Sequence, residues 1–352
     1  MNPLETLIRQ LIVAQGSQGS LSLEAYMELA LQHPLYGYYR VRHPVGREGD
    51  FITAPEVSQM FGEMIGVWAV EAWRKAGKPA PFALLELGAG RGTLLRDLLR
   101  ATAHVGGFHA ALQLYLLESS GPLKAEQEDR LAPWHAVYLD TLDGLPPLPT
   151  FILANEFFDA LPIRQFEKTF QGWAERRVGL VDDNLAFVLE PLGPLEGALI
   201  SEQNCQARVG SVIETAGPAS LCLRLLARHL CAYGGAMLLI DYGYVAPSFA
   251  PTLQAVSRHA AASIFDRPGE VDLTAHVDFT ALIEVARAEG LSPSPVVGQG
   301  EFLRNLGIEI RADALKARAT SDQAAVIDAA LHRLTAPDQM GELFKVVECR
   351  VS

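Results

Sequence analysis

The sequence predicts an α/β fold: a doubly wound, mostly parallel sheet with helices on both faces. Three observations lead there. From Pro79 onward, short apolar runs alternate with amphipathic helical patterns, as parallel strands with covered faces require. The first of those runs ends in three closely spaced glycines just before a helix opens. Residues 161–217 drop this rhythm for short strands joined by turns, so they read as an antiparallel segment inserted between consecutive sheet strands.

Composition narrows the function. The 352 residues are 49% hydrophobic and 20% charged, which suits a sizeable core and argues against wholesale disorder. A balance of 29 basic to 41 acidic residues gives a net charge of −12. Long nucleic acids are held by clustered Lys and Arg, so no nucleic-acid partner is expected. A small anionic cofactor remains compatible, because backbone amides can hold one, and a cationic substrate is mildly favoured. Cys205, Cys222, Cys231 and Cys349 form no CxxC pair, and no His stands at metal-finger spacing from them, so reduced thiols and no metal site are expected. No apolar run approaches the ~20 residues of a membrane span. Leu4, Leu7, Ile8, Leu11 and Ile12 instead repeat at helical spacing near the start. A cytoplasmic protein without membrane insertion is expected.

Helices are predicted near the N-terminus, over residues 21–31, and from a capping box at Thr53-Ala-Pro-Glu56 that opens a long helix containing Met60, Phe61, Met64, Ile65 and Trp68. Strands are predicted at 82–87, 112–117, 136–139, 150–154 and 235–241, with a closing strand at 343–351. Helices are expected at 93–100, 121–131, 219–232, 279–289, 300–306 and 321–334, the 219–232 helix turning Leu221, Leu225, Leu226 and Leu230 inward. Residues 243–276 read as irregular. The expected organisation is an N-terminal helical region over 1–78 that covers the cofactor site, a core from 79–160 and 218–352, and a substrate-side insertion at 161–217.

The strongest motif is Glu86-Leu-Gly88-Ala-Gly90-Arg-Gly92-Thr93, placed between a strand and a helix. Glycines let the chain turn tightly and let a ligand approach the backbone, and the helix N-terminus offers free amides. The spacing is GxGxG. A dinucleotide fingerprint puts its third glycine one residue later, which disfavours a NAD-dependent enzyme. An acid followed by GxGxG resembles the first motif of S-adenosylmethionine (SAM) methyltransferases. Glu118, ending the second strand, is placed to accept the ribose hydroxyls. Asp140, ending the third, is placed to reach the adenine amino group, with Asp143 as its rival. Asn155-Glu156-Phe-Phe-Asp159 ends the fourth strand, where the methyl group of a SAM enzyme would face its substrate; its polar residues could equally cap the next helix.

Further motifs extend the likeness nearly end to end. They include His33-Pro-Leu-Tyr-Gly-Tyr-Tyr39, Gly49-Asp-Phe-Ile-Thr-Ala-Pro-Glu-Val-Ser-Gln59, Asn155-Glu-Phe-Phe-Asp-Ala-Leu-Pro162, Asp241-Tyr-Gly243, Asp272-Leu-Thr-Ala-His-Val-Asp-Phe279 and Met340-Gly-Glu-Leu-Phe-Lys345. With these the chain resembles the MidA-like SAM-dependent methyltransferases, whose mitochondrial members are protein arginine methyltransferases that assist assembly of respiratory complex I. Ala89 stands where that family usually has proline, and Thr215-Ala-Gly217 is looser than its usual pattern, which leaves the role of Glu214 open. The resemblance implies a class I, seven-stranded, Rossmann-like methyltransferase sheet with SAM as cofactor. It implies a protein substrate, with symmetric dimethylation of an arginine in a 49-kDa-type subunit of NADH:quinone oxidoreductase as the mitochondrial members' activity. Those relatives work in the mitochondrial matrix.

The expected cofactor-binding residues are Glu86, Gly88, Gly90, Gly92, Thr93, Glu118, Asp140 and Asn155, joined by Asp50 and Ser58 from the segment that in this family folds over the cofactor. Expected catalytic residues are Glu156, Asp159, Asn155 and His276, with Asp241, Asp272 and Asp278 as rivals. Carboxylates would clamp a guanidinium and one would take its proton. A small-molecule methyltransferase and a SAM-binding scaffold are the alternatives. The sequence leaves the oligomeric state open, a homodimer included.

Overall fold

The apolar runs after Pro79 become the strands of one sheet: β1 Phe82–Leu87, β2 Leu112–Leu117, β3 Val137–Leu139, β4 Thr150–Asn155, β5 Gly235–Tyr244, β6 Leu291–Pro293 and β7 Phe344–Val351. The structure is a computed structural model that describes residues 2–16, 18–41, 53–246, 248–257 and 260–351. The strand order is β6-β7-β5-β4-β1-β2-β3, and every neighbouring pair is parallel except those made by β7. Two short segments, Val277–Asp278 and Val297–Gly298, add to β5 and β7. The order reverses between β1 and β4, which makes their carboxyl ends the place where an open α/β sheet binds ligands.

Burial explains why these runs are strands. All six residues of β1 and all six of β4 are buried, as expected of central parallel strands covered on both faces. The helix Thr93–Thr102 buries Leu94, Leu95, Leu98 and Leu99. Phe82 packs edge-on or tilted against Phe108 and Phe151, with ring centroids 5.1 and 5.5 Å away. The helix Gln59–Lys75 carries Glu63 inward, where it receives Arg100 at 3.1 Å and Arg311 at 2.7 and 2.9 Å. A buried carboxylate with two guanidinium partners is the form in which burial is tolerable.

Four local expectations give way. Thr53 makes no capping bond, and the helix it opens, Ala54–Val57, stops at Ser58. Ser58 is extended and caps the long helix, its hydroxyl accepting from the Met60 N–H. The hydroxyl reaches a nearby free amide, and a new helix starts there. Along Gly217–Tyr233 the buried stripe is Leu223, Leu226, Ala227 and Leu230, while Leu221 and Leu225 are exposed. Both stripes fit a helical period, so packing decides between them. Within 243–276, Gln254–Ser257, Ala260–Ala262 and Asp272–Thr274 form a small antiparallel sheet, held by pairing that local pattern does not announce. A further helix, Ile308–Lys316, precedes Ser321–Thr335.

The chain's contacts divide it into two units. One holds the large sheet and comprises residues 45–159, 222–245 and 277–352. The other comprises residues 1–44, 160–221 and 246–276. In this second unit Gly172–Val181 is the central strand of an antiparallel sheet, flanked by Leu21–Ser22, Arg164–Thr169 and Asn184–Pro191, with Val212–Thr215 beyond. The N-terminal residues tie into this unit: the Tyr26 hydroxyl donates to Ile264 O, and the Tyr39 hydroxyl donates to buried Asp272. Among the described residues no helix is long and apolar enough to cross a membrane.

Gly235, opening β5, has φ +120°, and a Cβ there would lie 1.9 Å from Thr150 O on β4. Neighbouring Gly234 has φ +85° and open space around it. Gly234→Ala should therefore cost about 1 kcal/mol of backbone strain, whereas Gly235→Ala must also push β4 and β5 apart and should cost ~3 kcal/mol or more. Denaturant titration of both variants checks this; equal losses would refute the steric account.

Candidate active site

Strand register builds the site. Leu87 pairs with Leu117 on one side and Ala154 on the other, Leu117 pairs with Leu139, and Asn155 pairs with Ile240. The next residue or two on each strand therefore form one row along the carboxyl edge: Gly88, Glu118, Asp140, Asn155-Glu156 and Asp241. Adjacent strands lie about 4.8 Å apart, so five strand ends bring these groups into one neighbourhood.

Gly88, Gly90 and Gly92 all have positive φ, at +61°, +52° and +74°. That conformation costs an L side chain about 1–2 kcal/mol, and the three glycines adopt it freely. The turn closes through Gly88 N–H to Leu117 O at 2.9 Å and Gly92 N–H to Ala89 O at 2.8 Å, and Gly92 then caps the helix Thr93–Thr102. A Cβ on Gly88 would meet the Phe157 ring at 3.0 Å, so the glycine loop lies directly against the Asn155–Asp159 turn.

The loop is bordered by acids. Glu86 is 3% exposed, and its Oε2 has no hydrogen-bond partner among the described residues. Burial, with the charge of Glu118 nearby, pushes its carboxyl up to about 8. Glu118 is also buried and raised, and its carboxylate accepts the Ser120 N–H at 2.8 Å and the Gln127 amide at 3.1 Å, both of which pull it back down. Thr93 donates to the Glu56 carboxylate and accepts from Arg130, so its hydroxyl is engaged within the protein. Asp140 stands apart: its side chain is 93% exposed and pairs with Lys124 at 3.2 Å. Asp143 is exposed too. The Ser58 hydroxyl is taken by its helix cap, and Asp50 lies outside the described residues.

At the other end of the row, Asn155 and Glu156 leave β4 in a turn. Glu156 has φ +50°, an uncommon conformation for a residue with a side chain, and its N–H donates to Ile240 O. Its carboxylate accepts from Ala54 N–H at 3.2 Å and Asn155 Nδ2 at 3.3 Å. Burial, then the charge of Asp159, pushes it up to about 8. Asp241 receives Phe157, Phe158 and Asp159 N–H on a single oxygen at 3.0–3.2 Å, and Tyr242 N–H on the other at 3.0 Å. It therefore organises the turn through the backbone. Burial, with Asp159 and Glu156 facing it, raises its carboxyl well above the carboxylate range, while those N–H donors oppose the shift. The Tyr242 hydroxyl donates to Asp159 Oδ2.

His276 belongs to the other unit, where its N–H donates to Thr252 Oγ1 and burial, opposed by Glu214, lowers its pKa. Glu214 itself accepts from Gln165, from the Thr252 N–H and hydroxyl, and from the Leu253 N–H, so it ties down a loop. Asp272 accepts from Tyr39, and Asp278 caps the helix Phe279–Ala288. Sequence reasoning missed Gln127, Glu56 and Tyr242. For Gln127 a signal existed: with Leu123 and Leu131 it forms the buried stripe of Gly121–Leu131, where a polar residue is out of place.

These residues fit an adenosyl cofactor with an amino-acid end. Left-handed glycines let a ligand approach the backbone beside a helix N-terminus, and the buried oxygens Glu86 Oε2 and Asn155 Oδ1 have no partner among the described residues and can accept from a ligand. Native Glu86 keeps its proton to about pH 8, whereas a free glutamate loses it near 4.5, so stability falls as pH rises between those values. Glu86→Gln should thus raise the ligand-free stability at pH 8 by ~1 kcal/mol or more, a gain of about 2–4 °C in melting temperature, with a much smaller change at pH 5. A shift equal at both pH values would refute the burial argument.

Comparison with known proteins agrees with this geometry. The sequence profile of the family described as "Putative S-adenosyl-L-methionine-dependent methyltransferase" matches residues 64–297. The mitochondrial protein arginine methyltransferase NDUFAF7 of Bos taurus is 37% identical over 337 residues, covering 88% of this chain and 75% of its own. That of Homo sapiens is 34% identical over 373 residues, covering 97% and 83%. A crystal structure of a COG1565 superfamily member from Burkholderia thailandensis, bound to S-adenosyl-homocysteine, superposes with a TM-score of 0.84 at 29% identity, covering 99% of this chain and 94% of that one. A sheet of this order, a glycine loop at its switch point and these matches lead to one conclusion: the chain belongs to the S-adenosyl-L-methionine-dependent methyltransferase family.

Proposed function

We propose that this methyltransferase acts on arginine in a protein, forming symmetric dimethylarginine. The observation that carries the reading is the carboxyl of Glu156, set in a turn beside Asp159 and Asp241. Glu156 makes no ion pair among the described residues, and burial plus its acidic neighbours raise it to about 8. Such a site is relieved by a cation, and a guanidinium offers both charge and paired N–H donors. The curated relatives named protein arginine methyltransferases point the same way. A 49-kDa-type subunit of NADH:quinone oxidoreductase is the substrate we put first, and the cytoplasm the compartment.

In this reading Gly88, Gly90 and Gly92 cradle the amino-acid end of the cofactor, Glu86 and Asn155 supply acceptors to it, and Glu118 accepts the ribose hydroxyls. Bound SAM supplies an electrophilic methyl group on a sulfonium. Glu156 and Asp159 orient the guanidinium and draw its charge toward themselves, leaving the opposite nitrogen richer in electrons. One carboxylate then accepts the proton which that nitrogen sheds on methylation. Asp241 and Tyr242 hold the turn and the Asp159 side chain in place. The exposed, ion-paired Asp140 is left with a lesser role at the adenine end. His276 belongs to the other unit and has no part in this reading.

The test is to incubate the purified protein with tritiated SAM and a lysate of cells lacking it. A labelled protein that yields symmetric dimethylarginine on hydrolysis is the expected result; label confined to small molecules would overturn the protein reading. With the substrate in hand, kcat/KM should climb from pH 6 to about 8 as the free enzyme's Glu156 ionises. Glu156→Gln should abolish that limb and cost ~10²–10⁴-fold in kcat while leaving SAM affinity within a few-fold. An active variant with an unchanged pH profile would remove Glu156 from the mechanism.

A further inference from the structure

We propose that Gln127 is a cofactor-positioning residue that locks the glycine loop and the ribose-binding acid into one rigid unit. This rests on the assignment of Glu118 to the ribose. Gln127 is fully buried in the helix Gly121–Leu131, between Leu123 and Leu131 on its inward face. Both of its amide bonds go to the site: Nε2 donates to Gly90 O at 2.6 Å and to Glu118 Oε2 at 3.1 Å. One side chain thus spans the middle glycine of the loop and the acid at the end of β2, which belong to neighbouring βα units. Its methylenes pack under the loop, since a Cβ on Gly92 would touch Gln127 Cγ at 3.5 Å.

The chemistry of Glu118 shows why such a clamp matters. A carboxylate that accepts two hydroxyls must be ionised and held in one plane. Its Oε1 accepts the Ser120 N–H, its Oε2 accepts the Gln127 amide, and the Ser119 N–H adds a further backbone bond that favours the charged form. Burial works against ionisation, and Glu86 on β1, raised to about 8, is the other carboxyl beside it. Tyr138 on β3 is too weak an acid to carry charge there, and Lys124 one helical turn before Gln127 opposes the shift. The Gln127 amide is a neutral donor that favours the charged form without drawing the carboxylate away, as a Lys or Arg at the same position would. Gln127 Oε1 is buried and has no partner among the described residues, so the side chain's orientation is set by its two donor bonds.

The prediction concerns binding, so it needs no protein substrate. S-adenosylhomocysteine and its 2′-deoxy analogue are titrated into the full chain by calorimetry from pH 5.5 to 8.5. The wild type should prefer the ribose form at least tenfold, with affinity for it falling as the pH drops through the Glu118 pKa. Gln127→Met keeps the volume and removes both bonds. It should weaken S-adenosylhomocysteine about tenfold at pH 7, weaken the deoxy analogue much less, and move the acidic fall to higher pH. Gln127→Asn, which keeps the amide on a shorter stem, covers the case in which the methionine variant does not fold and should show the same pattern. In a Glu118→Gln background the Gln127 substitution should no longer change the preference for the ribose form, because that preference runs through the Gln127–Glu118 contact, and only the loss from the Gly90 bond should remain. Equal losses for the two ligands with an unmoved pH profile would make Gln127 a packing residue only and overturn the proposal. No preference for the ribose form in the wild type would overturn the Glu118 assignment along with it.

Discussion

Acidic groups held largely out of water along the carboxyl edge of the sheet, Glu86, Glu156 and Asp241, with no ion pair to them among the described residues, are the constraint on which the rest of the structure depends. Glu86 and Glu156 are each raised to about 8, and Asp241 is raised as well. Keeping such groups out of water is unfavourable, and the fold tolerates it with neutral donors rather than cations: backbone N–H groups at Asp241 and Glu118, amides at Glu118 and Glu156. The contrast with Glu63 in the same unit is informative, because there two arginines settle the charge. A structural carboxylate is neutralised within the chain. The edge carboxyls of Glu86 and Glu156 have no such cationic partner among the described residues.

Rigid backbone holds this arrangement. The turn after β4 would be a loose loop on local propensity, yet three of its successive N–H groups converge on one oxygen of Asp241 from the neighbouring strand. The positive φ of Glu156 follows from that convergence, since the chain must turn sharply to present those amides together. Asp241 is thus spent on the backbone, and its neighbour Tyr242 reaches the Asp159 side chain. The glycine loop contacts this turn through Phe157 against Gly88, so the two ends of the row meet in van der Waals contact.

The α/β class and most strands and helices of the large sheet were legible in the amino-acid sequence, from local, periodic information: the unbroken apolar runs of β1 and β4 and the leucine face of Thr93–Thr102. The SAM cofactor came from the likeness of the glycine motif to that of known methyltransferases, while the short strand Leu291–Pro293 and the helix Ile308–Lys316 were not foreseen. Acids at strand ends could also be picked out, because parallel strands in register end on one edge. Tertiary structure decided what long-range contacts decide. It joined residues 1–44 to 160–221 in one unit, paired the short strands within 243–276, and chose the Leu223–Leu230 stripe over Leu221 and Leu225. It also sorted the acids: Asp241 to the backbone, Asp140 to solvent and Lys124, Asp278 to a helix cap, Glu156 to a half-buried turn beside Ala54. A carboxylate's role depends on which donors stand around it, and those donors come from residues tens of positions away, such as Ala54 for Glu156 and Phe158 for Asp241. No window of the sequence contains both partners, so only the folded chain could assign them.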